Sequence, residues 1–267
     1  MSNFAYIMES PDEATRLDLK ADPTILQNQA IWAGIKPGMR VADLGCGPGK
    51  TSFYLNKLVK PNGKTIGIDI SKQRVHYAKS HYNDEGLEFY IDDIRNSLGH
   101  YGLFDFVWVR FVLEHFRENS FEIVKNISSI LKPNGILCLV DLDFNCLIHY
   151  GIPEKLEKAI KAVIGMLEKD ANFDPYVGRK LYSYLFDLGF HDIEVDISTH
   201  HLIYGKLKEI DEMNWKYKVE VAAKKSNYSF SEFKGGFEEF KKEFLVFFKK
   251  YRRFSYTPNI MVRGRKA

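Results

Sequence analysis

The sequence predicts an α/β protein built on a doubly wound, mainly parallel sheet. Short β-rich runs alternate with helical segments from Lys36 to Ile197, which is typical of this class. The run Ile136–Asp141 is apolar up to its final aspartate, as expected for a strand that helices cover on both faces. A glycine-rich loop follows the first predicted strand, at the edge where open sheets of this kind bind ligands.

The individual elements follow from β-rich runs, helix caps and stop signals. The predicted strands are Met39–Leu44, Thr65–Asp69, Leu87–Ile91, Phe104–Arg110, Ile136–Asp141, Asp192–Ile197 and a closing strand within Ser255–Gly264. The predicted helices between them are Thr51–Val59, Ser71–Tyr82 and Asn119–Leu131. Ser71 is suited to cap its helix, and Pro-Asn-Gly sequences at 61–63 and 133–135 end the other two helices.

Four regions are predicted along the chain. Residues 1–30 form a helical N-terminal extension, 31–200 the core, 201–254 a helical insertion without a clear strand, and 255–267 the last strand. Within the insertion, aromatic residues from Phe233 to Tyr251 recur at intervals of three and four, which indicates one apolar helix face. That face either packs on the core or forms a lid over an apolar substrate. Its basic pairs, such as Lys241-Lys242, leave contact with RNA or an anionic membrane surface as a third interpretation.

Composition argues for a soluble, cytoplasmic protein. The net charge of +3 is too small to imply a nucleic-acid partner. Three cysteines cannot pair completely, and no Cys/His spacing is typical of a metal site. The first residues lack the pattern of a secretion signal, and no apolar run reaches the roughly 18 residues of a membrane span. We expect a monomer or a homodimer.

The glycine loop Asp43-Leu44-Gly45-Cys46-Gly47-Pro48-Gly49 carries the strongest functional signal. Glycines allow the backbone to approach a ligand closely, and the loop leads into a helix N-terminus. The dinucleotide fingerprint needs a third glycine where this chain has Lys50. Asp43 at the end of the strand would repel a pyrophosphate but can help to hold an ammonium group. These features favour S-adenosylmethionine, which has an α-ammonium group and no phosphate, over NAD.

Acidic residues at the ends of the next two strands suit the rest of that cofactor. Asp69 ends the second strand, where a carboxylate can accept both ribose hydroxyls; its alternative role is to cap the helix beside Ser71. Asp92 or Asp93 follows the third strand and can accept from the adenine amino group, while Ile94 packs on the ring. We favour Asp93, and solvation of the loop is the alternative.

Together these segments resemble the class I S-adenosylmethionine-dependent methyltransferases, particularly the ubiquinone/menaquinone biosynthesis group. The resemblance is carried, in the family's order, by Glu13–Leu17, Lys36–Gly38, Asp43–Gly49, Gly67–Ser71, Phe104-Asp105, Val112–His115, Leu131–Gly135, Gly178–Leu181 and Leu188–Phe190. It implies a Rossmann-like sheet of seven strands with an antiparallel last strand, at Tyr256–Gly264. It also implies methyl transfer to a small-molecule acceptor through oxygen, nitrogen or carbon, with S-adenosylhomocysteine as product.

The resemblance also assigns cofactor contacts. The candidate cofactor-binding residues are Tyr6, Arg16, Asp43, Gly45, Cys46, Gly47, Gly49, Asp69, Ile70, Asp92, Asp93, Ile94, Arg110 and Phe111. Tyr6 and Arg16 would close over the cofactor's carboxylate, and Arg110 would meet its methionine end. Arginine departs from the family at position 110, and it could instead recognise an acidic substrate or pair with Glu114.

His115 is the candidate catalytic base, because it follows the fourth strand near the ligand-binding edge. A structural histidine that caps this segment is the alternative, and Glu114 is equally ambiguous. For the whole chain, the alternatives to a small-molecule enzyme are an RNA or protein methyltransferase and a non-catalytic S-adenosylmethionine-binding module.

Overall fold

The computed structural model describes residues 13–267, and within them the chain forms one mixed sheet of eight strands. The strands are β1 Arg40–Leu44, β2 Lys64–Asp69, β3 Leu87–Ile91, β4 Phe104–Arg110, β5 Leu131–Leu142, β6 His149–Tyr150, β7 His191–Tyr204 and β8 Phe254–Arg265. They are ordered β3-β2-β1-β4-β5-β8-β6, and β7 pairs with the other side of β8. Strands β1 to β5 pair in parallel, and β8 is antiparallel to its neighbours. The predicted doubly wound sheet with an antiparallel last strand is confirmed.

Helices cover both faces of this sheet. They are α1 Glu13–Lys20, α2 Pro23–Ala33, α3 Lys50–Val59, α4 Lys72–His81, α5 Ser120–Ser128, α6 Glu154–Asp170, α7 Leu181–Asp187, α8 Glu209–Ser226 and α9 Gly236–Phe248. In β4, Val107 and Val109 pack in the cluster that contains α5 and α7, whereas Phe106 and Trp108 pack in the cluster that contains α2 and α3. Alternate residues of one strand thus enter opposite cores, which explains why the middle of the strand, Phe106 to Val109, is apolar at every position.

Several predicted boundaries differ from the structure. Helix α5 ends at Ser128, and the Pro-Asn-Gly sequence at 133–135 lies within β5 and does not end a helix. Strand β7 continues through Tyr204, so 201–204 belong to the sheet and not to the helical insertion. Here buried and exposed side chains alternate, with His201 and Ile203 buried while Leu202 and Tyr204 are exposed. The long strand is stabilised by pairing with β8 up to Phe254, a contact far away in the sequence.

The helical insertion packs with a helix that the sequence analysis missed. Helix α6, which lies within the predicted core region, shares one apolar cluster with α8 and α9; we call these three helices the helical cap. The aromatic face of α9 is buried there through Phe240, Phe244, Phe247 and Phe248. Among residues 13–267, no helix is both long and apolar enough to cross a bilayer.

Because His149 is buried, we expect the free energy of unfolding to fall as the solution becomes acidic. Burial among cap aromatics, including Trp215 and Phe248, lowers the pKa of His149 to about 4. Its Nε2 lies 3.1 Å from the Cys146 carbonyl oxygen, which only accepts, so Nε2 carries the proton and Nδ1 accepts from the Ser255 hydroxyl.

A histidine in the unfolded chain has a pKa near 6.5. Between pH 6.5 and about 4, the unfolded state therefore binds a proton at His149, and the folded state does not. The free energy of unfolding should therefore fall by up to about 1.4 kcal/mol per pH unit as the pH drops through this window. Urea unfolding at pH 7.5, 6.5 and 5.5 measures this slope. His149→Gln should flatten it, whereas His76→Gln, at an exposed position, should not. An unchanged slope in His149→Gln would contradict the assignment.

Candidate active site

The glycine loop follows a tight path between β1 and α3. The backbone N–H groups of Gly45 and Cys46 donate to the Ile68 carbonyl oxygen of β2, at 2.8 and 3.0 Å. Gly45, Gly47 and Gly49 have φ angles of +76°, +55° and +91°, which side chains rarely adopt. A Cβ on Gly45 would lie 2.3 Å from Val112 Cγ2, so this position also needs glycine for space. The loop therefore presents bare backbone toward the edge of the sheet.

Asp69 ties the glycine loop to the end of β2. Its Oδ2 accepts from the Gly47 N–H at 2.9 Å, and its Oδ1 accepts from the Ser71 N–H at 2.9 Å. The Arg74 guanidinium donates to Oδ1 through Nη2 at 3.0 Å and Nε at 3.2 Å. Ser71 caps α4, as the sequence predicted. The carboxylate is thus a structural hub, and Oδ2 keeps acceptor capacity beyond the one N–H that it receives.

A cavity of about 330 Å³ lies between this edge of the sheet and the helical cap. Its sheet side consists of the glycine loop, the ends of β2 to β4 and part of α1. Its cap side is apolar, with lining residues that include Ile160, Val163, Ile164, Leu167, Val219, Ala222, Phe240 and Phe244. The volume is within the range of small-molecule sites, and one continuous space joins a polar end to an apolar end.

The structure brings most of the predicted site residues to this cavity. It is lined by Arg16, Gly45, Cys46, Gly47, Asp69, Ile70, Asp92, Asp93, Ile94, Arg110, Phe111 and His115. Asp43 and Gly49 do not line it, and Tyr6 lies outside the described residues. Asp92 and Asp93 both reach the cavity, so the choice between them for the adenine contact stays a prediction.

Asp43 and Gly49 contact the helices next to the loop and not the cavity. The Ser52 hydroxyl of α3 donates to Asp43 Oδ2 at 2.6 Å, and burial raises the pKa of Asp43 to about 7. Asp43 lies in β1, and its carboxylate is directed to α3 and not to the cavity. A Cβ on Gly49 would lie 2.6 Å from Ala78 Cβ, so this glycine allows α4 to approach closely.

Arg110 ends β4, Phe111 follows it, and both residues line the cavity. Among the described residues, Arg110 forms no salt bridge, and its Nε has no hydrogen-bond partner. The guanidinium lies 4.0 Å from the centre of the Phe111 ring, and burial lowers its pKa to about 10, so it stays charged at neutral pH. Phe111 has a φ of +57°, and such strain in a bulky residue concentrates at functional sites.

His115 faces the same cavity from the segment after β4. Burial lowers the pKa of His115, so the imidazole is neutral at physiological pH and able to accept a proton. Its Nε2 lies 3.6 Å from Glu114 Oε1. Glu114 Oε2 accepts from the Asn145 side-chain amide at 2.6 Å, and Asp141 Oδ2 accepts from the backbone of Leu113 at 2.9 Å. Asp141 thus holds this segment in place.

Three site features were missed from the sequence. The apolar wall from α6 was absent from the prediction, although Leu156, Val163 and Leu167 have amphipathic helical spacing that could have shown it. Lys20 of α1 and Lys218 of α8 also line the cavity. No sequence pattern marks these lysines, because they reach one cavity from α1 and α8, which are far apart in the sequence.

Comparison with known proteins agrees with this geometry. The model of a family described as "Methyltransferase domain" matches residues 35–189. Juvenile hormone acid O-methyltransferase of Bombyx mori is 27% identical over 192 residues, covering 67% of this chain and 66% of that protein. Demethylmenaquinone methyltransferase of Lactococcus lactis is 31% identical over 106 residues, 38% of this chain and 42% of that protein. The chain spans about half the length of the curated relatives that it matches.

Among solved structures, phosphoethanolamine N-methyltransferase 2 of Haemonchus contortus, in complex with phosphomonomethylethanolamine and S-adenosylhomocysteine, superposes with a TM-score of 0.61. It is 14% identical and covers 100% of this chain and 60% of its own. At this identity the likeness concerns the fold. The family match spans more than half of the chain, and the chain therefore belongs to the methyltransferase domain family.

Proposed function

We propose that the protein transfers the methyl group of S-adenosylmethionine to a small molecule with an apolar body. The observation that carries this proposal is the continuous cavity, in which the glycine loop and the acidic strand ends open directly into an apolar chamber under the helical cap. Methyl transfer from a sulfonium is an in-line displacement. It mainly requires the acceptor and the methyl donor to be aligned in a space that excludes water.

The residues at the sheet edge fit the cofactor. Gly47 lines the cavity, and among residues 13–267 a Cβ placed on it would meet only Leu17, at 3.8 Å, so these residues leave open space for the methionine part. Among residues 13–267 Arg110 forms no salt bridge, so its half-buried guanidinium is available for the α-carboxylate. Asp69 Oδ2 can accept from one ribose hydroxyl, whereas a second contact at Oδ1 would compete with Arg74. Asp92 or Asp93 with Ile94 would hold the adenine.

The surface supports a small acceptor over RNA or protein. Two basic residues of the insertion that suggested a nucleic-acid surface form ion pairs within the cap: Lys241 with Glu220 and Lys249 with Glu212, both at 2.6 Å. Arg253 is buried. A non-catalytic binding module would need no second chamber beside the cofactor, yet this cavity has one. The three free cysteines support the predicted cytoplasmic location.

Calorimetric titration with S-adenosylmethionine, S-adenosylhomocysteine and NAD tests the cofactor. We expect micromolar binding of the first two ligands and none of NAD. Folded protein that binds neither adenosyl ligand would overturn the proposal. Binding of NAD in their place would reassign the site to an oxidoreductase.

We further propose that His115 is the general base for an acceptor that must lose a proton. General-base catalysis contributes about 10²- to 10⁴-fold in rate, so His115→Gln should lower kcat by at least that lower bound. The dissociation constant of the His115→Gln variant for S-adenosylhomocysteine should equal that of the wild type. His76→Gln, on an exposed face of α4, is the matched control. If kcat in His115→Gln equals that of the wild type, the histidine is structural.

A further inference from the structure

Some of the cationic side chains that line the cavity have an acceptor within the protein, and others have no carboxylate partner among residues 13–267. Most of its cations have an acceptor within the protein: Arg16 pairs with Glu13 at 2.7 Å, Arg74 with Asp69 at 3.0 Å and Arg95 with Asp93 at 2.5 Å. Lys50 donates to the Asp18 carbonyl oxygen at 2.7 Å. Three lining cations, Arg110, Lys20 and Lys218, have no carboxylate in salt-bridge distance within residues 13–267.

The cofactor accounts for one of these three cations. S-Adenosylmethionine carries a single carboxylate, which we have placed at Arg110. Lys20 and Lys218 remain, and they line the cavity from two different helices, α1 and α8. Both are half-buried, and Lys218 Nζ has a weak contact with Cys146 Sγ at 3.8 Å and lies 5.3 Å from the centre of the Trp215 ring.

Two like charges held together are unfavourable without an anion between them. Burial lowers the pKa of Lys20 well below its usual value, and the charges of Lys218 and Arg16 lower it further. The four lining acids, Asp69, Asp92, Asp93 and Glu114, lie on strand ends or the segment after β4, and none comes from the cap. The chamber is therefore apolar, and its lining includes two lysines that have no carboxylate from the cap beside them.

Building on the proposed function, we propose that the methyl acceptor is an amphipathic anion. Its hydrocarbon or aromatic body occupies the chamber under the cap, and its one anionic group, a carboxylate or a phosphate, is bound between Lys20 and Lys218. A neutral apolar molecule would leave the two lysines uncompensated, and a cationic one would be repelled. The anionic group serves here as the recognition element, whichever atom receives the methyl group.

The test compares four probes that share one ten-carbon chain, each titrated into the protein saturated with S-adenosylhomocysteine. The probes are decanoate, decyl phosphate, 1-decanol and decylammonium. We expect at least one of the two anions to bind at least tenfold more tightly than decanol, and decylammonium to bind less tightly than decanol. The stronger of the two anions identifies carboxylate or phosphate as the preferred group.

The variants Lys20→Met and Lys218→Met keep the length of the side chain and remove its charge. Each should reduce the advantage of the anion over decanol about tenfold and leave the S-adenosylhomocysteine affinity unchanged. Lys216→Met is the matched control, because Lys216 is exposed on the same helix. Equal binding of anions and decanol, or an advantage that survives in both variants, would overturn the inference. If the wild type does not bind S-adenosylhomocysteine, that result would instead refute the proposed function itself.

Discussion

Asp69→Asn is expected to weaken S-adenosylhomocysteine binding by about tenfold to a hundredfold, because a hydrogen bond to a charged group contributes about 1.5–3 kcal/mol. The carboxylate is also part of the fold. It accepts from Gly47 and Ser71 and pairs with Arg74, and both charged side chains are 7% exposed. Removing one partner of a buried ion pair typically costs about 3–5 kcal/mol. The variant should therefore lose both affinity and stability.

A second variant separates these two effects. In Asp69→Asn/Arg74→Met the buried guanidinium is replaced by an apolar side chain, so most of the lost stability should return. The affinity for S-adenosylhomocysteine should not return, because the charged ribose acceptor is still missing. Urea unfolding gives the stability, and calorimetry gives the affinity. Wild-type affinity in the double variant would show that Asp69 acts only by organising the loop.

The sheet and the polar end of the cavity could be predicted because their signals are local. The glycines of the loop, the acid that ends β2 and the apolar pattern of β4 are each recognised from a few consecutive residues. Parallel strands then bring their carboxyl ends to one edge, so Asp69, Asp93 and Arg110 reach the same cavity without further information.

The apolar end and its charges depend on contacts between distant segments. The cap brings α6 together with α8 and α9, and the lysine pair joins residue 20 with residue 218. Periodicity indicates that a helix has an apolar face but not which surface covers that face. The same limit applies to Asp43. Its position before the loop suggested contact with the ligand, whereas the pleat of β1 directs it to Ser52.

Alanine at two glycines of the loop should have different main effects: on stability at Gly49 and on cofactor affinity at Gly47. At Gly49, φ is +91°, and a Cβ would meet Ala78 Cβ at 2.6 Å and the Phe89 ring at 2.8 Å. A left-handed conformation costs a non-glycine residue about 1–2 kcal/mol, and overpacking of a core adds about 1–3 kcal/mol. Gly49→Ala should therefore lower the free energy of unfolding by about 2–5 kcal/mol.

At Gly47, φ is +55°, and within the described part of the chain the nearest atom to an added Cβ is Leu17 Cδ1, at 3.8 Å. Gly47→Ala should therefore cost only about 1–2 kcal/mol of stability. Because both Gly47 and Leu17 line the cavity, the new methyl group enters the space assigned to the cofactor. The affinity for S-adenosylhomocysteine should fall at least tenfold, measured by calorimetry at a temperature where the variant is folded. If Gly47→Ala binds like the wild type, the methionine part does not lie against this loop. If Gly49→Ala is as stable as the wild type, the close approach of α4 is not what requires glycine there.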